Sequence, residues 1–261
     1  MKGDTDEKNI FFIIFIFIII IIFLIINSER KIKVGIIDSG ISEYQRKDVS
    51  KYKNFVNNES IDDYYDHGTI ITNIINENSE KNYDLYVAKS INKHGNSNKK
   101  DFIKSLQWMI NNNVNIINIS QGMKYNSKEI SALIKKAEKK NILVIASSGN
   151  NYLNDTDYPA KYPEVISIGT INKNGLIHRY SGEGKIDYVA LGLNIKTKNK
   201  YGKIKSYTGN SYATAYATST IIDIVYNEIL DKRKLEKYAI NPYHQKNIYG
   251  KGVLTNEKTN K

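Results

Sequence analysis

Ser211 lies in Tyr207-Thr208-Gly209-Asn210-Ser211-Tyr212-Ala213-Thr214-Ala215, a glycine turn followed by small residues and an apolar run ending near Val225. This pattern predicts a loop that delivers Ser211 to the first turn of a buried helix. There, its own N–H and the positive helix end face whatever approaches. That suits a nucleophile whose attack creates an oxyanion. An ordinary N-cap serine carries the same local signature, so Ser211 alone decides nothing. Two upstream segments add to it. Asp38 ends the short apolar strand Ile32–Ile37. The carboxyl ends of parallel strands are where sites are built, although an aspartate there also caps turns. His67-Gly68-Thr69 opens the run Ile70–Ile75, after Asp62, Asp63 and Asp66. A histidine at a helix start is held by its neighbours; an unremarkable surface histidine is the alternative.

The elements that must position these residues follow from hydrophobic pattern. Leu85–Lys89, Val114–Ile119, Ile142–Ala146 and Val165–Gly169 are short and almost wholly apolar. Asp101–Asn111 has helical periodicity through Phe102, Leu106, Trp108, Met109 and Ile110, and Ser127–Lys140 turns Ile130, Leu133, Ile134 and Ala137 inward. Helices alternating with apolar strands predict an α/β fold with a mostly parallel sheet covered on both faces.

Outside its first thirty residues, the 261-residue chain is long enough for one sizeable domain. The absence of cysteine excludes disulfides and cysteine-based metal sites. The formal net charge is +11, and much of the excess lies beyond Asp231, in a region read as a basic tail over residues 231–261. Such a tail is more often solvated or lipid-facing than a groove reader, so no nucleic-acid partner is expected. Residues 1–9 form an N-terminal tail, and Ile10–Ile26 is an unbroken Ile, Phe and Leu run. Its length fits a transmembrane anchor, and Asn27-Ser28-Glu29-Arg30 is a poor cleavage site. One transmembrane helix, a membrane partner through residues 10–26 and a single-pass cell-membrane location are therefore expected. Secretion after signal-peptide cleavage is the alternative.

Six segments, in order, resemble those of the subtilisin-like serine peptidases. Val34-Gly35-Ile36-Ile37-Asp38-Ser39-Gly40 is similar to their aspartate motif, His67-Gly68-Thr69 to their histidine motif, and Gly209-Asn210-Ser211-Tyr212-Ala213 to Gly-Thr-Ser-x-Ala. Asn118-Ile119-Ser120-Gln121-Gly122 resembles the substrate-binding strand, and Ala146-Ser147-Ser148-Gly149-Asn150 the segment with the oxyanion asparagine. Tyr158-Pro159-Ala160-Lys161-Tyr162-Pro163 resembles the family's Tyr-Pro-Ala-x-Tyr-Pro block. The likeness runs from Ile32 to about Tyr226, and the order Asp, His, Ser is the subtilisin order. Asn210 stands where threonine is usual, and Thr214-Ala215 replaces the familiar Ser-Pro. A nucleotide-binding α/β domain would need a Gly-rich phosphate loop after the first strand, and Asp38-Ser39-Gly40 is not one.

The resemblance implies a subtilisin-like three-layer sandwich over residues 32–230. It implies a serine endopeptidase with Asp38, His67 and Ser211 as the triad and Asn150 as oxyanion donor. Substrate-binding residues would be Ser120, Gln121, Gly122, Ser147, Ser148 and Gly149. Asp157 precedes the Tyr-Pro block, where the family has the far end of the S1 pocket. A carboxylate there implies cleavage after Arg or Lys; a solvated turn over Asn154–Asp157 is the alternative. The stretch between His67 and Leu85 is shorter than in secreted subtilisins, so no strong calcium site and no other metal or cofactor is expected. The strand bearing Asp38 begins close to the apolar run, so no pro-domain is expected within the chain. Low general proteolytic activity or narrow specificity is therefore expected. The small catalytic unit is similar to the leader peptidases of lanthipeptide biosynthesis, which implies an extended precursor peptide as substrate. The alternative is a catalytically weak or inactive, membrane-bound subtilase-like binding protein.

Overall fold

The computed structural model describes residues 14–19, 31–227, 231–241 and 245–255. The chain divides into two units, Met1–Lys31 and Ile32–Lys261. Of the first, only the helical residues 14–19 and Lys31 are described. Among the described residues no helix is long and apolar enough to cross a membrane. The expected anchor over Ile10–Ile26 is therefore corrected, together with the single-pass membrane location and the membrane partner that depended on it. The described helical residues, 14–19, are too few by themselves to span a hydrocarbon core of about 30 Å. The rest of the run lies outside the described residues.

The second unit begins with β1 (Ile32–Asp38), β2 (Lys51–Asn54), α1 (His67–Asn78), β3 (Tyr83–Lys89), α2 (Lys99–Asn111), β4 (Ile116–Ile119) and α3 (Lys128–Lys139). It continues with β5 (Leu143–Ser147), β6 (Ile166–Ile171), β7 (Tyr188–Leu191), β8 (Ile195–Lys198), β9 (Ile204–Tyr207) and α4 (Asn210–Asn227). Last come β10 (Ala239–Ile240), α5 (Lys246–Tyr249) and β11 (Val253–Leu254). Nine strands form one sheet in the order β10-β11-β7-β6-β5-β4-β1-β3-β2, while β8 and β9 make a separate antiparallel pair. Every neighbouring pair in the large sheet is parallel except β10–β11.

Side chains alternate across the sheet with the two-residue strand period. Val34 and Ile36 of β1 pack with Ile70, Ile71, Ile74 and Ile75 of α1 and with Ala213, Ala215, Ile221 and Ile222 of α4. Ile37 belongs to the opposite layer, with Phe102, Leu106 and Met109 of α2 and Ile130 and Ile134 of α3. Gly35 faces that layer too, and a Cβ there would lie 2.6 Å from Met109 Sδ. The bare backbone thus lets α2 seat directly on β1. Truncating a buried isoleucine such as Ile74 to alanine would cost about 2–5 kcal/mol. The result is the expected three-layer α/β sandwich. The region after Asp231, read from its charge as a tail, adds a 3₁₀ turn over Lys232–Tyr238 that buries Leu235 and Tyr238, and β11 pairs with β7.

The strand order reverses at β1, whose neighbours are β3 and β4. Connections diverge to opposite faces at such a switch point, which opens a crevice beyond the carboxyl ends of the strands. Asp38 ends β1 and Ser120 follows β4, both at this crevice.

Candidate active site

Asp38 is fully buried. Its Oδ1 accepts the Ser39 N–H at 2.8 Å and lies 2.8 Å from His67 Nδ1. His67 is the first residue of α1. The preceding Asp66 is at the N-cap with φ 78° and makes no side-chain capping bond. Other residues close the helix end instead. Gly68 N–H donates to Ser39 Oγ at 2.8 Å, and Thr69 N–H donates to Asp63 Oδ2 at 2.7 Å. Asp63 Oδ1 accepts both the Ser39 hydroxyl at 2.7 Å and the Asp66 N–H at 2.8 Å. The start of α1 is thereby tied to the backbone directly after Asp38. That approach needs glycine at position 68, where a Cβ would lie 2.5 Å from Gly40 O. Asp63 was visible in the sequence only as part of an acidic cluster. Its place four residues before His67 was the available signal for a cap.

Burial of the imidazole works against its cation. The charge and hydrogen bond of Asp38, and then the charges of Asp63 and Asp66, outweigh this and raise the His67 pKa above its ordinary value. With Nδ1–H directed at Asp38, Nε2 is the basic nitrogen. The rings of Tyr65 and Tyr212 flank the imidazole at centroid distances of 6.3 and 5.9 Å.

Ser211 falls in the first turn of α4, as its sequence context predicts. Its hydroxyl donates to the Ser120 carbonyl at 2.9 Å and makes no hydrogen bond to His67. The Ser120 hydroxyl in turn donates to Asn118 Oδ1 at 2.9 Å, and Asn118 Nδ2 donates to Thr218 Oγ1 at 2.9 Å. The end of β4 and the first turns of α4 are thus laced together. Rotation about χ1 moves the Ser211 hydroxyl among staggered wells.

Asn150 is exposed, and its Oδ1 accepts the Asn210 N–H at 3.2 Å. This orients the amide, with its oxygen toward the start of α4. Asn210, the departure from the usual threonine, is fully buried. Its Nδ2 donates to Gly149 O at 3.0 Å and to Ser148 Oγ, and its Oδ1 accepts from Thr170 Oγ1. An amide offers donors and an acceptor at once, so one side chain joins the start of α4 to both β5 and β6.

The remaining sequence-singled residues divide. Ser147 and Ser148 are buried and committed to local bonds: Ser147 Oγ accepts Gly149 N–H at 3.2 Å, and Ser148 Oγ accepts Gly182 N–H at 3.1 Å. Gln121 Nε2 donates to Ser90 Oγ at 3.2 Å. Gly122, Gly149 and Asp157 come together. A Cβ on Gly122 would lie 2.7 Å from Asp157 Oδ2, and one on Gly149 would lie 2.3 Å from it. The Asp157 carboxylate therefore sits between these two segments and is buried, not solvated in a surface turn. It is also paired: Lys124 Nζ stands 2.9 Å from Asp157 Oδ1. Lys124 was not singled out in the sequence, and no local pattern marks it. A separate cleft of about 1020 Å³, lined by Phe55, Ile103, Trp108 and Leu133 among others, contains none of these residues.

Known proteins resemble this chain over most of its length. The model of the subtilase family matches residues 29–242. The chain is 25% identical over 244 residues to a thermostable alkaline protease of Halalkalibacterium halodurans, covering 85% of this chain and 65% of that protein. It is 30% identical over 247 residues to subtilisin J of Geobacillus stearothermophilus, covering 85% and 64% respectively. Against subtilisin Savinase of Lederbergia lenta it is 24% identical over 241 residues, covering 87% and 89%. The chain thus spans just under two thirds of the length of the first two of these relatives.

Proposed function

The chain belongs to the subtilase family, and from that premise we propose that it is a serine endopeptidase. The observation that carries this reading is the 2.8 Å contact of Asp38 Oδ1 with His67 Nδ1, at the crevice where the first turn of α4 carries Ser211. In the proposed reaction the Ser211 hydroxyl turns from Ser120 O to His67 Nε2 and attacks a peptide carbonyl as His67 takes its proton. Asp38 holds the imidazole tautomer and stabilises the imidazolium. The amide of Asn150 and the Ser211 N–H receive the oxyanion. His67 then passes the proton to the leaving amine, and water repeats the sequence on the acyl-enzyme. The substrate lies extended as an added strand beside Asn118–Gly122.

The finer proposal concerns the residue before the cut. The Asp157 carboxylate between Gly122 and Gly149 supports a pocket that takes Arg, and then Lys. A narrow preference of this kind suits a processing protease acting on one precursor peptide, in keeping with the resemblance to lanthipeptide leader peptidases. One observation favours a second reading, a catalytically weak subtilase: the Ser211 hydroxyl is engaged by Ser120 O and not by His67.

Labelling with a fluorophosphonate probe, and hydrolysis of peptides varied at the residue before the cut, separate the two. The proposed enzyme labels at Ser211, loses labelling on Ser211→Ala, and cleaves after Arg. A folded protein that neither labels nor cleaves is the weak subtilase instead.

A further inference from the structure

Lys124 holds an unusual position beside the proposed pocket. Met123 and Tyr158 exchange backbone hydrogen bonds of 2.7 and 2.9 Å, which sets Lys124 next to Asp157. Its Nζ meets two acceptors, Asp157 Oδ1 at 2.9 Å and Asn151 Oδ1. The second acceptor is fixed, because Asn151 is buried and its Nδ2 donates to Ser148 O at 3.1 Å and Asp155 O at 3.0 Å. The two partners of the ion pair differ sharply in exposure. The Lys124 side chain is 73% exposed and that of Asp157 only 9%. A nearly buried carboxylate left alone is strongly unfavourable, so an empty pocket needs a counter-charge. A lysine with its stem in solvent supplies one and loses little packing when it swings away.

We propose that Lys124 is the resident cation of the S1 site, an internal competitor that the substrate's own cation must displace from Asp157. This rests on the reading of Asp157 as the floor of S1. Arg has the advantage in the exchange, since a guanidinium meets the carboxylate through two parallel bonds while Lys124 offers a point charge. A substrate lysine replaces like with like and gains less. A neutral side chain offers Asp157 nothing, so Lys124 stays and its ammonium group fills the space beside the carboxylate. The residue thus sharpens selection for Arg by raising the threshold for every other side chain.

The test measures inhibition by benzamidine, a single amidinium probe, together with kcat and KM for peptides carrying Arg, Lys or Leu before the cut. The wild type is compared with Lys124→Met, which keeps the stem without the charge, with Lys124→Ala, and with Asp157→Asn. Both Lys124 variants are expected to bind benzamidine about tenfold or more tighter, the weight of one charge-assisted bond. The KM of Arg peptides should fall with kcat unchanged, and the Arg-over-Lys ratio should shrink. If Asp157→Asn abolishes the Arg preference while both Lys124 variants leave benzamidine binding unchanged, the competitor role is refuted and the pocket reading stands. If Asp157→Asn changes neither preference nor benzamidine binding, the pocket reading fails and takes the proposal with it.

Discussion

Asp63→Asn is the most informative single change, because Asp63 joins the Asp38 segment to the helix that carries His67 without touching either side chain. Its carboxylate accepts three bonds of 2.7 to 2.8 Å, from Ser39 Oγ, Asp66 N–H and Thr69 N–H. An asparagine keeps one oxygen, which can still serve Ser39 and Asp66. Its NH₂ then faces the Thr69 N–H, a donor against a donor in a site that is 3% exposed. The bond lost to a charged group contributes about 1.5–3 kcal/mol, and a buried N–H without a partner adds about 1–3 kcal/mol. The expected destabilisation is about 3–4 kcal/mol, a large share of a stability typically about 5–15 kcal/mol. Urea unfolding should show a lower midpoint with an unchanged slope. Activity should respond with a definite sign. Burial lowers the His67 pKa, while Asp38 first and Asp63 after it raise it, with a net rise. Only the neutral imidazole accepts the Ser211 proton, so the raised pKa places the acid limb of kcat/KM above the ordinary histidine value. Removing the Asp63 charge should move that limb to lower pH. An unmoved limb together with an unchanged urea midpoint would refute this account of how α1 is held.

Two further outcomes are expected. Asn150→Ala should lower kcat by about 10²–10³ with KM little changed, a magnitude whose reference case is itself a subtilisin asparagine; a kcat within threefold of wild type would remove Asn150 from the oxyanion site. Treatment with EDTA should leave activity and Tm nearly unchanged, because the short connection after α1 is tied by Asp223, which accepts from Ser79 Oγ at 2.7 Å and Glu80 N–H at 3.2 Å. A fall of many degrees on chelation would mean a cation linked to folding.

The layers of the sandwich were legible because their signal is periodic. Apolar runs such as Ile142–Ala146 can be satisfied only in a sheet covered on both faces, and the stripe of Ile130, Ile134 and Ala137 only on a helix against it. The strands after β7 carried no such signal. In β8 only Ile195 and Thr197 turn inward, β9 is largely exposed, and β10 and β11 are two residues each. Charge misled in the same region, since the lysines after Asp231 surround Leu235 and Tyr238, which carry the burial. At the other end, the run Ile10–Ile26 has the composition of a span, but no helix among the described residues is long and apolar enough to be one.

At the site, the residues readable from sequence are those whose identity is tied to a local backbone feature. Asp38 is at a strand end, His67 at a helix start and Ser211 after a glycine turn, and each feature can be read from its neighbours. The residues that hold them cannot be read in that way. Asn210 matters through Thr170, Ser148 and Gly149, which lie 40 to 62 positions away in the chain. Lys124 meets Asp157 only because Met123 and Tyr158 pair across more than thirty residues. A buried amide or an ion pair is specified by what folding brings to it, so its partners appear only once the sheet order is fixed. Asp157 illustrates both cases. Its position before Tyr158-Pro159 marked a pocket floor, but its charge could not be interpreted without Lys124. The carboxylate is neither an open cation site nor a solvated turn: it is buried and paired with Lys124, and the proposed preference comes from exchanging that ammonium for the substrate's cation.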